Sequence, residues 1–285
     1  MEEIVYLNGK LIPRSQAKVS VLDYGFLFGF GLYETIRAYN GKPFRLDSHL
    51  ARLRYSADKL RILVKTAEIR QAVMDTVKAN GFADTRIRIT VSIGEGTITP
   101  NLASCVEPTV AVLVTDYHPP APEKYRDGFR VIVSSIRRNS HSPVTYMKSA
   151  NTMENMLARQ EARDKKADEA LFLNEKAFLS EASGSNVFLV KDGIFITPRF
   201  ETGILPGVTR VVVFEVAHQL GIKVREKNVR LAELLEADEA FITNSLIEIV
   251  PVSEVSGKII GKGKPGPVTK RLAKTYKDLV AKETG

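Results

Sequence analysis

The residues with the most chemistry to offer lie between Lys148 and Arg210. Lys148 opens Lys148-Ser149-Ala150-Asn151. A carboxylate follows in the tight run Glu181-Ala182-Ser183-Gly184-Ser185-Asn186-Val187-Phe188. After the turn Lys191-Asp192-Gly193 comes Phe195-Ile196-Thr197, and then Leu205-Pro206-Gly207-Val208-Thr209-Arg210, where a glycine opens a helical pattern. A lysine amine can form a Schiff base with an aldehyde. A carboxylate can keep a heterocyclic nitrogen protonated, and a helix N-terminus offers N–H groups to a phosphate. Those three functions together are what a pyridoxal phosphate site needs. Taken singly, each residue has an ordinary reading as a solvated lysine, a loop acid or a turn glycine.

The rest of the chain must position these groups. Asn8-Gly9, between residues 4–7 and 11–12, predicts a two-residue hairpin, and Asn40-Gly41 turns a strand over Leu32–Ala38 back toward Pro43-Phe44-Arg45. The Gly-x-Gly of Gly29-Phe30-Gly31 is not a dinucleotide loop, because a strand and not a helix follows it. Asp47 predicts the N-cap of a helix with an apolar stripe at Leu50, Leu53, Ala57 and Leu60, which carries His49 and Arg52. A second helix over 67–79 ends at Asn80-Gly81. Alternation over Thr85–Ile93 puts Arg86, Arg88 and Thr90 on one sheet face, and alternation from Tyr33 puts Tyr33, Thr35 and Arg37 on another common face. A strand is predicted over 109–115. His118-Pro119-Pro120-Ala121-Pro122-Glu123-Lys124 reads as an extended linker.

Beyond it, strands are predicted over 129–135, 169–174, 187–191, 194–197, 223–229, 239–243, 249–252 and 258–260. Arg137-Arg138-Asn139 follows the first of them. Helices are predicted from Met153 through Met156, Leu157 and Gln160, over 208–220 and over 267–282. The expected architecture is α+β: an N-terminal domain over 1–117, a linker over 118–128, and a larger, β-rich C-terminal domain over 129–285.

Composition narrows the function classes. The 285 residues are 44% hydrophobic and 26% charged, ordinary for a globular chain. No apolar run is long enough to cross a bilayer, and the acidic start Met1-Glu2-Glu3-Ile4 is not that of a signal peptide. The net charge of +8 is spread among 33 acids, with neither a basic arm nor a zinc-finger spacing, which weighs against a nucleic-acid-binding protein. One cysteine, Cys105, permits no intrachain disulfide, fits a reducing cytoplasm and sits in no metal-binding pattern.

Glu-x-Ser-x-x-Asn-Val-Phe, Phe-x-Thr and Leu-x-Gly-Val-x-Arg closely resemble the pattern of class IV (fold type IV) pyridoxal-phosphate-dependent aminotransferases. The resemblance runs from Tyr6-Leu7-Asn8-Gly9 to Gly266-Pro267-Val268-Thr269-Lys270-Arg271. It implies a two-domain fold with a smaller N-terminal domain and a larger cofactor-binding one. It also implies a homodimer, with the glycine-bearing segment around Gly29 reaching into the neighbour's site. The resemblance makes Lys148 the Schiff-base lysine and proton carrier, and Glu181 the partner of the pyridine nitrogen. Arg52, in His49-Leu50-Ala51-Arg52-Leu53, would hold the phosphate with Gly207, Val208, Thr209, Asn244 and Ser245.

The substrates implied are amino acids and 2-oxo acids, but the motif departs from each subgroup. Branched-chain enzymes have Phe-Glu-Gly-Ile-Arg where this chain has Tyr33-Glu34-Thr35-Ile36-Arg37, and tyrosines where it has Phe28 and Thr152. Phe28 and Tyr33 resemble D-amino-acid aminotransferases, yet the loop Gly94-Glu95-Gly96-Thr97 lacks the arginine and histidine with which those enzymes hold a carboxylate. The expectation is a transaminase for aliphatic α-amino acids leaning toward D-substrates, with the branched-chain L-enzyme as the alternative. Aminodeoxychorismate lyases share the asparagine at 244 and are a further one. Arg88, and after it Arg37, would then bind the substrate carboxylate.

Overall fold

The computed structural model describes residues 2–285 and divides the chain into two compact units. Of the described residues, the first comprises 2–118, 147–151 and 282–285, and the second 119–146 and 152–281. Lys148 therefore belongs to the N-terminal unit, although the sequence placed it within a C-terminal domain over 129–285.

In the first unit, β1 (Ile4–Leu7) and β2 (Lys10–Pro13) form the expected hairpin, with Asn8 and Gly9 both at positive φ. A short helix, α1 (Tyr24–Phe28), is capped by Asp23 and precedes β3 (Gly31–Tyr39) and β4 (Lys42–Pro43). Then come α2 (Leu46–Leu60), α3 (Thr66–Asn80), β5 (Asp84–Ser92) and β6 (Thr109–Asp116). The six strands form one antiparallel sheet in the order β2-β1-β6-β5-β3-β4. One face of it is apolar: Leu32, Ile36, Ile87, Ile89 and Val91 pack with Leu50 and Leu53 of α2 and Val73 and Val77 of α3. Asp47 does not cap α2. The helix starts two residues earlier, after Arg45 in the left-handed region, and Asp47 lies in its first turn, paired with Arg70 of α3.

In the second unit, Pro122–Asp127 form a short helix, α4, where an extended linker was expected. Proline suits a first helical position because it has no N–H to lose there. β7 (Phe129–Arg138), α5 (Met153–Asp164), β8 (Glu169–Asn174), β9 (Leu179–Ala182), β10 (Asn186–Lys191) and β11 (Ile194–Pro198) follow. The unit continues with α6 (Val208–Gln219), β12 (Val224–Lys227), α7 (Leu231–Leu235), β13 (Glu239–Asn244), β14 (Glu248–Val255) and β15 (Lys258–Ile259), and α8 spans Pro267–Thr284.

The nine strands form a mixed sheet, β12-β11-β10-β13-β14-β7-β8-β9, with β15 paired to β14. The sheet curls, since β9 at its far end is bound to the start of β10 by the bond from Ala182 N–H to the Ser185 carbonyl, 2.7 Å. Its apolar filling includes Leu171, Val187, Leu189, Ile242 and Val250. Under α6 lies an aromatic layer: Phe188 stacks on Phe241 at 4.9 Å, and Phe195 and Phe214 meet that pair edge-on.

Candidate active site

In the first unit, β3 is the element around which the functional groups gather. One of its edges pairs with β5, and the other, at its start, receives the Lys148 segment. Tyr33 N–H donates to the Lys148 carbonyl, and Ala150 N–H to the Gly31 carbonyl, both at 2.8 Å. These bonds fix the Lys148 main chain as a strand-like strap, so its side chain has a defined direction. Lys148 Nζ lies 4.5 Å from the centre of the Tyr33 ring, and Arg88 Cζ lies 3.7 Å from the same ring. The β3–β5 register sets Tyr33 opposite Thr90 and Thr35 opposite Arg88, so the two predicted faces are one. Arg88 Nε donates to Thr90 Oγ1 at 3.2 Å, which steadies the guanidinium over the ring. Arg37 lies on that face too, but a bidentate pair with Asp84 (2.9 and 2.5 Å) holds its guanidinium, with the Tyr39 and Tyr117 rings beside it.

The opposite, apolar face of β3 carries Glu34, which is fully buried. Arg52 of α2 grips it with Nε to Oε1 at 2.8 Å and Nη2 to Oε2 at 2.6 Å, and His49 Nδ1 lies 2.7 Å from Oε2. Burial works to raise the Glu34 pKa, but the Arg52 charge and the bonds from both partners hold it down at about 2. Burial pushes His49 below its ordinary value, so at neutral pH it is the uncharged imidazole that donates to Glu34. Arg52, which the family resemblance assigns to a phosphate, is thus oriented by a buried carboxylate. Phe28 lies on α1, partly exposed, edge-on to Tyr24 at 4.8 Å.

In the second unit, Glu181 sits on β9, 8% exposed. Its Oε2 accepts from Leu205 N–H at 2.8 Å and from Asn186 Nδ2 at 3.4 Å, and its Oε1 faces Arg138 Nη2 at 3.6 Å. Asn186 also donates to the Leu205 carbonyl at 3.0 Å, tying the carboxylate to the segment that enters α6. Gly207, the cap of α6, is required by close approach: a Cβ there would stand 2.0 Å from Asn186 Oδ1. It brings no side-chain cap to the first-turn N–H groups of Val208 and Thr209, an arrangement suited to an anion. Arg210, one residue on, is turned away to Glu226 and the Pro198 carbonyl. Asn244 organises its own turn. Its Nδ2 donates to the Gly184 carbonyl and Ser185 Oγ, and its Oδ1 accepts from Leu246 and Ile247 N–H at 2.9 and 3.0 Å. Ser245 lies within that turn, half-buried.

Sequence reasoning missed two features here. The strand carrying Glu181 is only four residues long and buried on both faces, so it shows no alternation. Arg138 was read as following a strand. It is the last residue of β7, beyond a register shift between Val133 and Arg137 that breaks the two-residue period. No spacing could have found it.

The family model for class IV amino-transferases matches residues 31–255. The chain belongs to that family. A relative from Methanocaldococcus jannaschii, provisionally named a branched-chain-amino-acid aminotransferase, is 39% identical over 98% of this chain and 96% of its own length. The D-alanine aminotransferase of Bacillus licheniformis is 33% identical over 98% of both chains. The crystal structure of the Escherichia coli branched-chain amino acid aminotransferase superimposes with a TM-score of 0.95 at 31% identity, covering 100% of this chain and 97% of that one.

Class IV aminotransferases depend on pyridoxal phosphate, and the residues present fit that cofactor. The Gly207 cradle at an uncapped helix start suits its phosphate, the buried Glu181 carboxylate its ring nitrogen, and the strapped Lys148 amine its aldehyde. When bound, the cofactor supplies an electron-accepting ring that stabilises negative charge at the substrate carbon. This class IV aminotransferase shares the α+β architecture of its relatives.

Proposed function

We propose that this aminotransferase exchanges the amino group between aliphatic α-amino acids and 2-oxo acids, with branched-chain L-amino acids as its substrates. The observation that carries the α-carboxylate requirement is Arg88: a partly buried cation on the Tyr33 ring, on the same sheet face and beside the same ring as Lys148. A substrate carboxylate brought beside Lys148 needs such a partner, because an unpaired buried charge is costly. Lys148 Nζ, once deprotonated, takes the proton from Cα of the amino acid in one half-reaction and gives a proton to Cα of the incoming 2-oxo acid in the other. Arg52 and the N–H groups of Val208 and Thr209 hold the phosphate, with Asn244 shaping the turn that contains Ser245. Glu181 keeps the ring nitrogen charged.

Similarity to branched-chain enzymes in sequence and structure supports the L-reading. A second reading, a D-amino-acid transaminase, is favoured by Phe28 and Tyr33 and by the likeness to the D-alanine enzyme. We also infer a cytoplasmic homodimer. The exposed apolar side chains Val21, Phe26 and Ile98 (71%, 73% and 78% exposed) support an assembly that covers them.

The deciding experiment gives the purified, cofactor-loaded protein a panel of L- and D-amino acids with 2-oxoglutarate or pyruvate, and measures 2-oxo acid formed. Turnover of L-leucine, L-isoleucine and L-valine, abolished in Lys148→Ala, is expected. Turnover confined to D-amino acids would establish the second reading, and release of pyruvate with an aminobenzoate would make the protein a lyase.

A further inference from the structure

Arg138 is a buried cation that the roles above leave without a task. Its side chain is 8% exposed and its guanidinium stacks 4.3 Å from the centre of the Phe172 ring. Nη1 reaches Glu154 Oε2 at 3.4 Å, while Nη2 stands 3.6 Å from Glu181 Oε1. Neither Nε nor Nη2 makes a hydrogen bond. The stem is held as well: a Cβ on Gly203 would lie 3.1 Å from Arg138 Cγ.

We propose that Arg138 is a positioning residue that keeps the Glu181 carboxylate ionised and directs its two oxygens to different tasks. The two oxygens are not equivalent. Oε2 is held by neutral donors, Leu205 N–H and the Asn186 amide, and Oε1 faces the cation. Neutral donors orient a carboxylate, but a full positive charge within 4 Å in a poorly solvated place is what most strongly favours its charged form. A side chain needed only to fill space over Phe172 would be apolar, since a buried guanidinium with two unbonded nitrogens carries a desolvation penalty. The groups that face this pair include Asn186 from β10, Leu205 N–H from the approach to α6, Phe172 from β8, and Glu154 of α5, which reaches Arg138 from its Nη1 side. The inference rests on reading Glu181 as the ring-nitrogen partner. Its consequence is that Arg138 acts through Glu181 and never on substrate.

The test is a carboxyl titration by NMR of the full chain labelled with 13C at glutamate Cδ, with the Glu181 signal assigned from Glu181→Gln. It is run with and without pyridoxal phosphate. In Arg138→Met the Glu181 pKa should rise by about one unit or more, a tenfold shift in its ionisation equilibrium, and Arg138→Lys should recover most of the change. If Arg138→Met does not fold, Arg138→Gln, which retains a donor over Phe172, replaces it. A Glu181 pKa unmoved in a folded Arg138→Met or Arg138→Gln chain overturns the proposal and leaves Arg138 a packing residue. Glu181→Gln with unchanged cofactor affinity and turnover would instead remove the reading of Glu181, while the cofactor-free titration still judges Arg138.

Discussion

At the scale of single residues, the first unit rests on two arginines with opposite surroundings. Arg88 lies against an aromatic ring with its Nε donating to a threonine hydroxyl, whereas Arg52 is clamped by a buried carboxylate. The proposed substrate carboxylate is assigned to the first. Arg88→Ala is therefore expected to raise KM for amino acids by about tenfold or more, the worth of one charge-assisted bond, with a much smaller effect on a primary amine that lacks a carboxylate. Steady-state kinetics on both substrates checks it, and equal effects would exclude Arg88 as the carboxylate partner. Glu34 predicts a pH response. Its folded pKa of about 2 lies below the ordinary 4.5, so its stabilisation is complete above pH 4.5 and disappears as pH falls through 2. The stability involved is about 3 kcal/mol. Glu34→Gln should flatten the decline in denaturant-unfolding stability across that window relative to the unchanged chain, even though it is less stable at pH 7.

At the scale of elements, what could be read from the sequence was whatever local rules decide. Asn8-Gly9 and Asn40-Gly41 turn where they should because both positions of each turn sit at positive φ. Alternation grouped Tyr33, Thr35 and Arg37 along β3 and Arg86, Arg88 and Thr90 along β5, the pairing register then made one face of the two groups, and Gly81 ends α3 in the left-handed region as its position implied. Tertiary contacts decided the rest. Asp47 lost the capping position to Arg45 and pairs with Arg70 across two helices. The proline-rich stretch became α4, and Arg138 lies past a register shift. The same distinction bears on the Gly207 turn. Its φ of −69° would admit any residue, and only the 2.0 Å approach to Asn186 excludes a side chain. Gly207→Ala should therefore leave the far-UV circular dichroism unchanged. By pushing Asn186 off Leu205 and Glu181 it should weaken pyridoxal phosphate binding by about tenfold, as read by titration. Wild-type affinity in that variant would mean the turn does not touch the cofactor.

At the scale of the whole molecule, two cores of different construction are present, an antiparallel sheet under two helices and a curled mixed sheet filled from within. If the chain pairs with a copy of itself through the apolar side chains around α1, Phe26→Asp should shift it toward the monomer in analytical ultracentrifugation, because a charge in a covered apolar patch lacks solvation. A chain unchanged in mass would place Phe26 outside any interface. The Lys148 strap has a different consequence, one of heredity. Residues 147–151 are hydrogen-bonded into the first unit, yet the chain on either side of them belongs to the second. A gene cut at residue 118 would thus part β3 from the strap that covers its edge, and leave the lysine on the fragment without β3. On the reading of Lys148 as the Schiff-base lysine, neither half would carry that chemistry into another protein by itself.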